Sequence, residues 1–347
     1  MPSSTSSSEV VRGGALPKGL LAALVLFFAS EHFLWNSPAW LAFCRRYVPP
    51  YVASDPLRSS VETRLLPKDG PPPIVLVGSS QIHEGMECEE FEQRFPARPC
   101  VNLGIAGGTP LDVLFLTDRI DARGIPKRTI VTGVFPQVMR RAPKAAFTDL
   151  RTIRCLYRSG VLFAMTPKEW IDDALFGEIQ NLAETLRMKD SLFDMWSVVG
   201  EDLQGALRGE MPPQPPRALD LVPAPGRAFF RKHIGDVDPA IAPGRFTPVH
   251  ELALEEVIAR EEDRGNHMVV IDFPTRRGYL TTITPEAISA HKRLVERLAA
   301  RGGVVLVRAD DLPALEDSDF HDFTHLAESG RHKVSARIAD LLVKIGG

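Results

Sequence analysis

The 347-residue chain has few aromatic residues, 7%, and no excess of one charge. Its 41 Lys and Arg stand against 44 Asp and Glu, a formal net charge of −3. The first scarcity argues against a stacking platform for single strands. The second argues against nucleic-acid binding through a basic field. Cysteine is also scarce: Cys44, Cys88, Cys100 and Cys155 show no CxxC or other metal spacing. That argues against a zinc ribbon and against a disulfide scaffold, and no metal or cofactor is expected. A long hydrophobic run is missing too. Gly19–Ser30 carries no charge, and only by continuing through Glu31 and His32 to Trp35 does it reach about 17 residues, the lower limit for a spanning helix. Apolar residues nevertheless make up 44%, enough for a packed core.

Residues 1–14 are polar and Ser-rich and read as a disordered tail. Residues 15–43 read as an N-terminal membrane anchor, with Trp35 and Trp40 suited to a membrane interface. A cleaved signal and a soluble hydrophobic helix are the alternatives. Phe28-Ala29-Ser30-Glu31 is a poor cleavage site, and Glu31 is tolerable only near a helix end. Arg12 and Lys18 precede the run and Arg45 and Arg46 follow it, so charge leaves the orientation undecided. Residues 44–72, with Pro49-Pro50, Pro56, Pro67 and Pro71-Pro72-Pro73, read as a tether.

From residue 73 the pattern is α/β. Ile74–Val77, Val101–Leu103, Thr129–Val134, His267–Phe273 and Val304–Val307 are strand-like runs. Thr109-Pro110 and Thr284-Pro285 carry the start signal of helices between them. Strands alternating with helices predict a doubly wound parallel sheet. The stretch 150–265 interrupts that rhythm with helical segments and a Pro-rich loop over 211–248. It reads as an insertion, either a linker or a substrate-facing lid.

Three segments carry chemistry. Gly78-Ser79-Ser80-Gln81 follows the first strand, at the carboxyl edge where open α/β sheets bind ligands. Such a serine suits a nucleophile, and equally a plain turn or a phosphate nest. Asn102-Leu-Gly104-Ile-Ala-Gly107-Gly108-Thr109 ends the second strand. Its glycines would let backbone N–H groups approach an oxyanion, or simply make a tight turn. Asp322-Phe-Thr-His325 precedes the last helix. A carboxylate at that spacing can fix the imidazole tautomer and stabilise its charged form, although a capping Asp beside an incidental His is the plainer reading.

Taken in order, these blocks resemble the SGNH/GDSL hydrolase superfamily over about residues 74–138 and 267–345. Ser80 matches the nucleophile, with Ser79 where many members have Asp; Gly107 matches the oxyanion glycine; Asp322 and His325, followed by Leu326 and Gly330, match the last block. The resemblance implies a flavodoxin-like three-layer α/β/α fold with a five-stranded parallel sheet. It also implies a Ser-His-Asp triad, with the N–H groups of Ser80 and Gly107 as the oxyanion hole. One block departs. Where Gly-x-Asn-Asp is expected, the chain reads Gly133-Val-Phe-Pro136-Gln137, and Gln137 is the candidate substitute donor. Such a loss resembles the membrane-anchored, cell-envelope branch of the superfamily, which serves teichoic-acid D-alanylation and polysaccharide O-acetylation beside a membrane-bound O-acyltransferase.

The expected activity is therefore that of a serine esterase or O-acyltransferase acting on acylated envelope glycans or small esters, outside the cytoplasm. A non-catalytic scaffold of an acyltransferase complex and a secreted lipase-like hydrolase are the alternatives. Lesser candidates are His83 as a pocket residue, Arg276 and Arg277 against an anionic substrate, and pairing of Cys88 with Cys100; for each the plainer reading, a loop histidine, a solvated turn and free thiols, is preferred.

Overall fold

Short runs rich in apolar residues make strands that are buried on both faces, and five such strands assemble here. A computed structural model describes residues 18–48, 55–136, 192–193, 195–200, 204, 248–276, 278–279 and 285–346. The strands are β1 (Ile74–Leu76), β2 (Cys100–Asn102), β3 (Thr129–Val134), β4 (His267–Asp272) and β5 (Val304–Val307). All are parallel, in the order β2-β1-β3-β4-β5, one of the two common doubly wound orders. Alternate residues feed two separate cores. Val75, Ile130, Met268 and Val270 face one; Leu76, Val131, Val269 and Ile271 face the other.

The helices are α1 (Lys18–Asn36), α2 (Pro38–Tyr47), α3 (Asp55–Leu65), α4 (Ser80–Gly85), α5 (Cys88–Arg94), α6 (Pro110–Ala122), α7 (Pro248–Asp263), α8 (Pro285–Ala299) and α9 (Glu328–Lys344). The first core takes Leu57 and Val61 of α3, Leu111 and Leu114 of α6, Leu254 and Val257 of α7 and Leu294 of α8. The second takes Ile82 of α4, Phe91 of α5, and Val334, Ile338 and Leu342 of α9. Both faces of the sheet are thus covered by helices. The start of α6 is built as its sequence suggests: the Asp112 carboxylate accepts hydrogen bonds from the Thr109 N–H (2.7 Å) and hydroxyl (2.8 Å), closing the first turn.

Three expectations along the chain are corrected. The stretch 44–72 is more than a tether: it contains α3, whose Leu57, Val61, Ser59, Ser60 and Thr63 are buried. Trp35 does not sit at a surface but in the first core, 2% exposed, and its ring meets Trp40 edge-on. The insertion ends earlier than residue 265, because α7 packs on the sheet as an integral helix, with Ala253, Leu254, Val257 and Ile258 buried. Arg128, entering β3, links α7 to α6 through a buried pair with Glu261 of α7 and a 2.6 Å pair with Asp121 of α6. The rest of the insertion, including its Pro-rich loop, lies almost wholly outside the described residues. So does the 1–14 tail.

The anchor segment forms α1, and Val25, Leu26 and Phe33 on it are exposed. Among the described residues, no helix is long and apolar enough to cross a membrane.

Candidate active site

The site is assembled at the carboxyl ends of β1 and β2. After Leu76 the chain turns directly into α4. Ser79 caps this helix: its buried hydroxyl accepts from the Gln81 N–H. Ser80 is therefore the first helical residue and is half-buried. Ser79 is thus taken up by the helix start, which leaves the Ser80 hydroxyl to other partners.

The Ser80 hydroxyl lies 2.8 Å from His325 Nε2, and His325 Nδ1 lies 2.6 Å from Asp322 Oδ2. Asp322 Oδ1 accepts from the backbone N–H groups of Thr324 (2.7 Å) and His325 (2.8 Å). Burial raises the Asp322 pKa, but the His325 hydrogen bond and charge and these two N–H groups outweigh it, holding the carboxyl below the ordinary range. Asp322 is thus an anion at neutral pH, aimed at one nitrogen of His325. That fixes Nδ1 as protonated and leaves Nε2 to accept from Ser80.

Residues to which the sequence reading gave no role hold this arrangement. Gln81 donates from Nε2 to the Thr324 carbonyl (3.2 Å), clamping the serine helix to the histidine loop. Asp319, 1% exposed, receives Lys333 Nζ (2.7 Å) and the Ser329 hydroxyl (2.7 Å), fastening that loop to α9. Asn102 donates to the carbonyls of Ile82 (3.0 Å) and Met86 (3.1 Å) and accepts from the Gly104 N–H (2.9 Å). A helix as short as α4 leaves its last carbonyls without partners of its own, and Asn102 supplies them.

The loop after β2 presses against the same helix. A Cβ on Gly104 would lie 2.5 Å from the His83 nitrogen, so no side chain fits there. Gly107 has φ +75, a left-handed conformation natural only to glycine. It is the one partly exposed residue between Leu103 and Pro110. This places it at the surface of the loop.

His83 lies one turn after Ser80 and is packed beneath a guanidinium from α3. Arg58 Nη1 and Nη2 lie 3.1 and 3.0 Å from the two ring nitrogens, and Nη2 also donates to the Gly104 carbonyl (3.0 Å). A neutral imidazole has one lone pair in its plane, so at most one of the two ring contacts is a hydrogen bond. Burial first, then the charges of Arg58, His325 and Arg331, push the His83 pKa down to about 3. His83 is therefore a neutral, held residue rather than a loop histidine, and α3 forms one wall of the site. A histidine one turn after the serine is a visible signal; its arginine partner is not.

Other expectations fare differently. Phe135 is 6% exposed and belongs to the second core. It does not line the opening, so replacing it with Asn would place an amide in that core instead of completing the oxyanion hole. Gln137 and Arg277 lie outside the described residues. Arg276 is not arranged for an anion: its guanidinium pairs with Asp317 (3.0 Å), and its backbone N–H donates to the Phe323 carbonyl (2.9 Å). Cys88 and Cys100 do pair. The start of α5 meets the start of β2 with the two Cα atoms 5.3 Å apart, in a disulfide. Cys44 is a buried free thiol.

Neither a family model nor a curated protein matches the chain.

Proposed function

We propose that the protein is a serine esterase or O-acyltransferase of the SGNH/GDSL kind, acting on acyl esters of cell-envelope glycans or related small esters. The observation that carries the reading is the continuous relay Ser80 Oγ–His325 Nε2, His325 Nδ1–Asp322 Oδ2, at 2.8 and 2.6 Å. In the first half-reaction Ser80 Oγ attacks the ester carbonyl while His325 Nε2 takes its proton. The backbone N–H groups of Ser80 and Gly107 receive the oxyanion. The protonated imidazole, stabilised by ionised Asp322, then gives its proton to the departing alkoxide, leaving an acyl-Ser80. In the second half, water or a sugar hydroxyl attacks the acyl carbon, and His325 takes that proton and returns it to Ser80.

The flavodoxin-like strand order and the helix-covered sheet are compatible with this superfamily. The departure at Phe135-Pro136 favours a second reading, a scaffold of the same fold that serves a membrane-bound O-acyltransferase without catalysing. Proline has no N–H to offer and Phe135 is in the core, so one oxyanion donor is missing from its usual place, a loss of about 3 kcal/mol in transition-state stabilisation. Turnover of p-nitrophenyl acetate separates the two. The enzyme reading expects slow but saturable hydrolysis that vanishes in Ser80→Ala; hydrolysis indistinguishable between wild type and Ser80→Ala supports the scaffold.

The location we propose is the outer side of a membrane, with α1 as the attachment. The exposed Val25, Leu26 and Phe33 offer it an apolar face, and the Cys88–Cys100 disulfide suits an oxidising compartment. Full-length protein should sediment with membranes and resist carbonate extraction; complete release by carbonate would contradict the attachment.

A further inference from the structure

A cavity of about 910 Å³ opens over the carboxyl ends of β3, β4 and β5, within the size range of sites for small ligands. It is next to the triad. Strands are spaced by about 4.8 Å, so β4 ends some 10 Å across the sheet from β1 and Ser80. Phe273, which lines the cavity, also packs against α4: a Cβ on Gly85 would lie 3.0 Å from its ring. Phe320, also in the lining, lies just before the loop that carries Asp322 and His325. On the wall stands a second His–Asp pair. Asp272, the last residue of β4, has Oδ1 2.8 Å from His291 Nε2 and accepts its hydrogen bond. His291 is 7% exposed, and Asp272 is open to the cavity. Asp272 Oδ2 takes no hydrogen bond among the described residues.

The lining carries a definite charge. Asp272, Asp310, Glu316 and Asp317 contribute carboxylates, against Lys292 as the cation. Arg276 at the rim is already paired with Asp317. With Lys292 in the lining and Asp317 held by Arg276, the carboxylates still outnumber the cations around the space, which disfavours an anion and offers acceptors to hydroxyl groups. Between them, Phe273, Ile288, Leu312 and Phe320 give apolar surface of the kind that covers the C–H faces of a pyranose. The strand-edge position, the acceptor-rich lining and the links to the triad elements through Phe273 and Phe320 converge on one ligand class.

We infer that this cavity is the site of the acyl acceptor, that the acceptor is a neutral or cationic polyhydroxyl sugar and not an anionic one, and that Asp272, oriented by His291, binds one of its hydroxyls. This rests on the esterase or acyltransferase reading of Ser80 and deepens it. In the transfer step, the acceptor hydroxyl oxygen bonds to the acyl carbon as the acyl–Ser80 Oγ bond breaks. His325 Nε2 takes the hydroxyl proton and delivers it to Ser80 Oγ, so the enzyme is regenerated and a sugar ester is released. Asp272 and His291 bind and orient; they exchange no proton with the acyl group.

The test uses full-length protein with p-nitrophenyl acetate as donor. Methyl α-glucoside and methyl α-glucuronide are supplied separately as acceptors at equal concentration, and acetylated glycoside and free acetate are measured by mass spectrometry and titration. A charge-assisted contact of the usual strength predicts at least about tenfold more acetyl-glucoside than acetyl-glucuronide. Asp272→Asn should lower the ratio of transfer to hydrolysis by about tenfold, and Glu316→Gln should narrow the glucoside preference by weakening repulsion of the uronate. The inference is overturned if the two acceptors are used equally, if acetate is released with no acetyl-glycoside formed, or if Asp272→Asn leaves the ratio unchanged. The acceptor comparison needs no variant, so it stands even if Asp272→Asn does not fold. Absence of any Ser80-dependent turnover is a separate outcome, which overturns the underlying reading along with this one.

Discussion

Two histidine–aspartate pairs stand at the carboxyl edge of the same sheet, and they differ in what surrounds them. Asp322 and His325 are three residues apart on one loop; Asp272 and His291 come from a strand end and a helix. In the first pair both carboxylate oxygens are engaged: Oδ2 holds the imidazole and Oδ1 takes two backbone N–H groups. The far nitrogen of the imidazole meets the hydroxyl of Ser80. In the second pair one carboxylate oxygen holds the imidazole and the rest of the group opens into a cavity. The separations are alike, 2.6 and 2.8 Å. A His–Asp contact is thus not a catalytic signature in itself. The third partner decides: a hydroxyl placed to lose a proton in one case, an open, acceptor-lined space in the other.

The largest expected effect tests the first pair. Asp322→Asn keeps the shape but removes the charge that stabilises the imidazolium and selects the tautomer. Ester turnover should fall by about 10³–10⁴ in kcat with little change in KM. A loss of tenfold or less would put the first pair on the same footing as the second.

The next contrast is between the site and the segment before it. A chain starting at Asp69 would lack α3, and with it Leu57 and Val61 of the first core and Arg58 over His83. It should be insoluble or unfolded. In the full-length protein Leu57→Ala should cost about 2–5 kcal/mol, measured by urea denaturation. A folded, active protein from Asp69 onward would show that α3 is dispensable and that the triad stands without its Arg58–His83 wall.

The disulfide comes third. It closes a short loop between α5 and β2 on the triad side of the sheet, across a sequence separation of 12. Cys100→Ser should destabilise the protein by about 3 kcal/mol under oxidising conditions and by little in dithiothreitol. Equal stability of wild type and variant without reductant would show the bond does not form.

The smallest effect concerns pH. His83 stays neutral in the folded protein down to about pH 3, whereas its ordinary value is 6.5. Above pH 6.5 it is neutral in both states. Between 6.5 and 3 the unfolded chain binds a proton that the folded one refuses, so its stabilising contribution is lost as pH falls through that window. His83→Gln should therefore show a shallower decline of Tm from pH 6.5 to 4 than wild type. Parallel declines would mean that His83 titrates normally.

How far the sequence reveals this molecule depends on how local each signal is. The strands are legible because each centres on a short apolar run, and the paired register keeps them within a residue or two of where the runs lie. Asp322 and His325 are legible because their contact is made within one turn of chain. Ser80 is legible from its place after a strand. The role of α3 is not: its buried face carries Ser59, Ser60 and Thr63 beside Leu57 and Val61, so hydropathy understates its burial, and the flanking prolines suggest a break. Trp35 suits a core and a membrane interface equally, and only the packing decides. The Cys88–Cys100 pairing needs α5 and β2 brought together in space. The cavity draws its lining from the turn after β3, the end of β4, α8 and the segment after β5, and no local pattern announces such a composite.

The central claim is that Ser80 is an activated serine. Treating the full-length protein with a fluorophosphonate and mapping the adduct by mass spectrometry tests it most directly. The account predicts a single adduct on the peptide containing Ser80, absent in Ser80→Ala and slowed by about 10³-fold or more in His325→Ala. No adduct at Ser80, or one that forms as fast without His325, would contradict it.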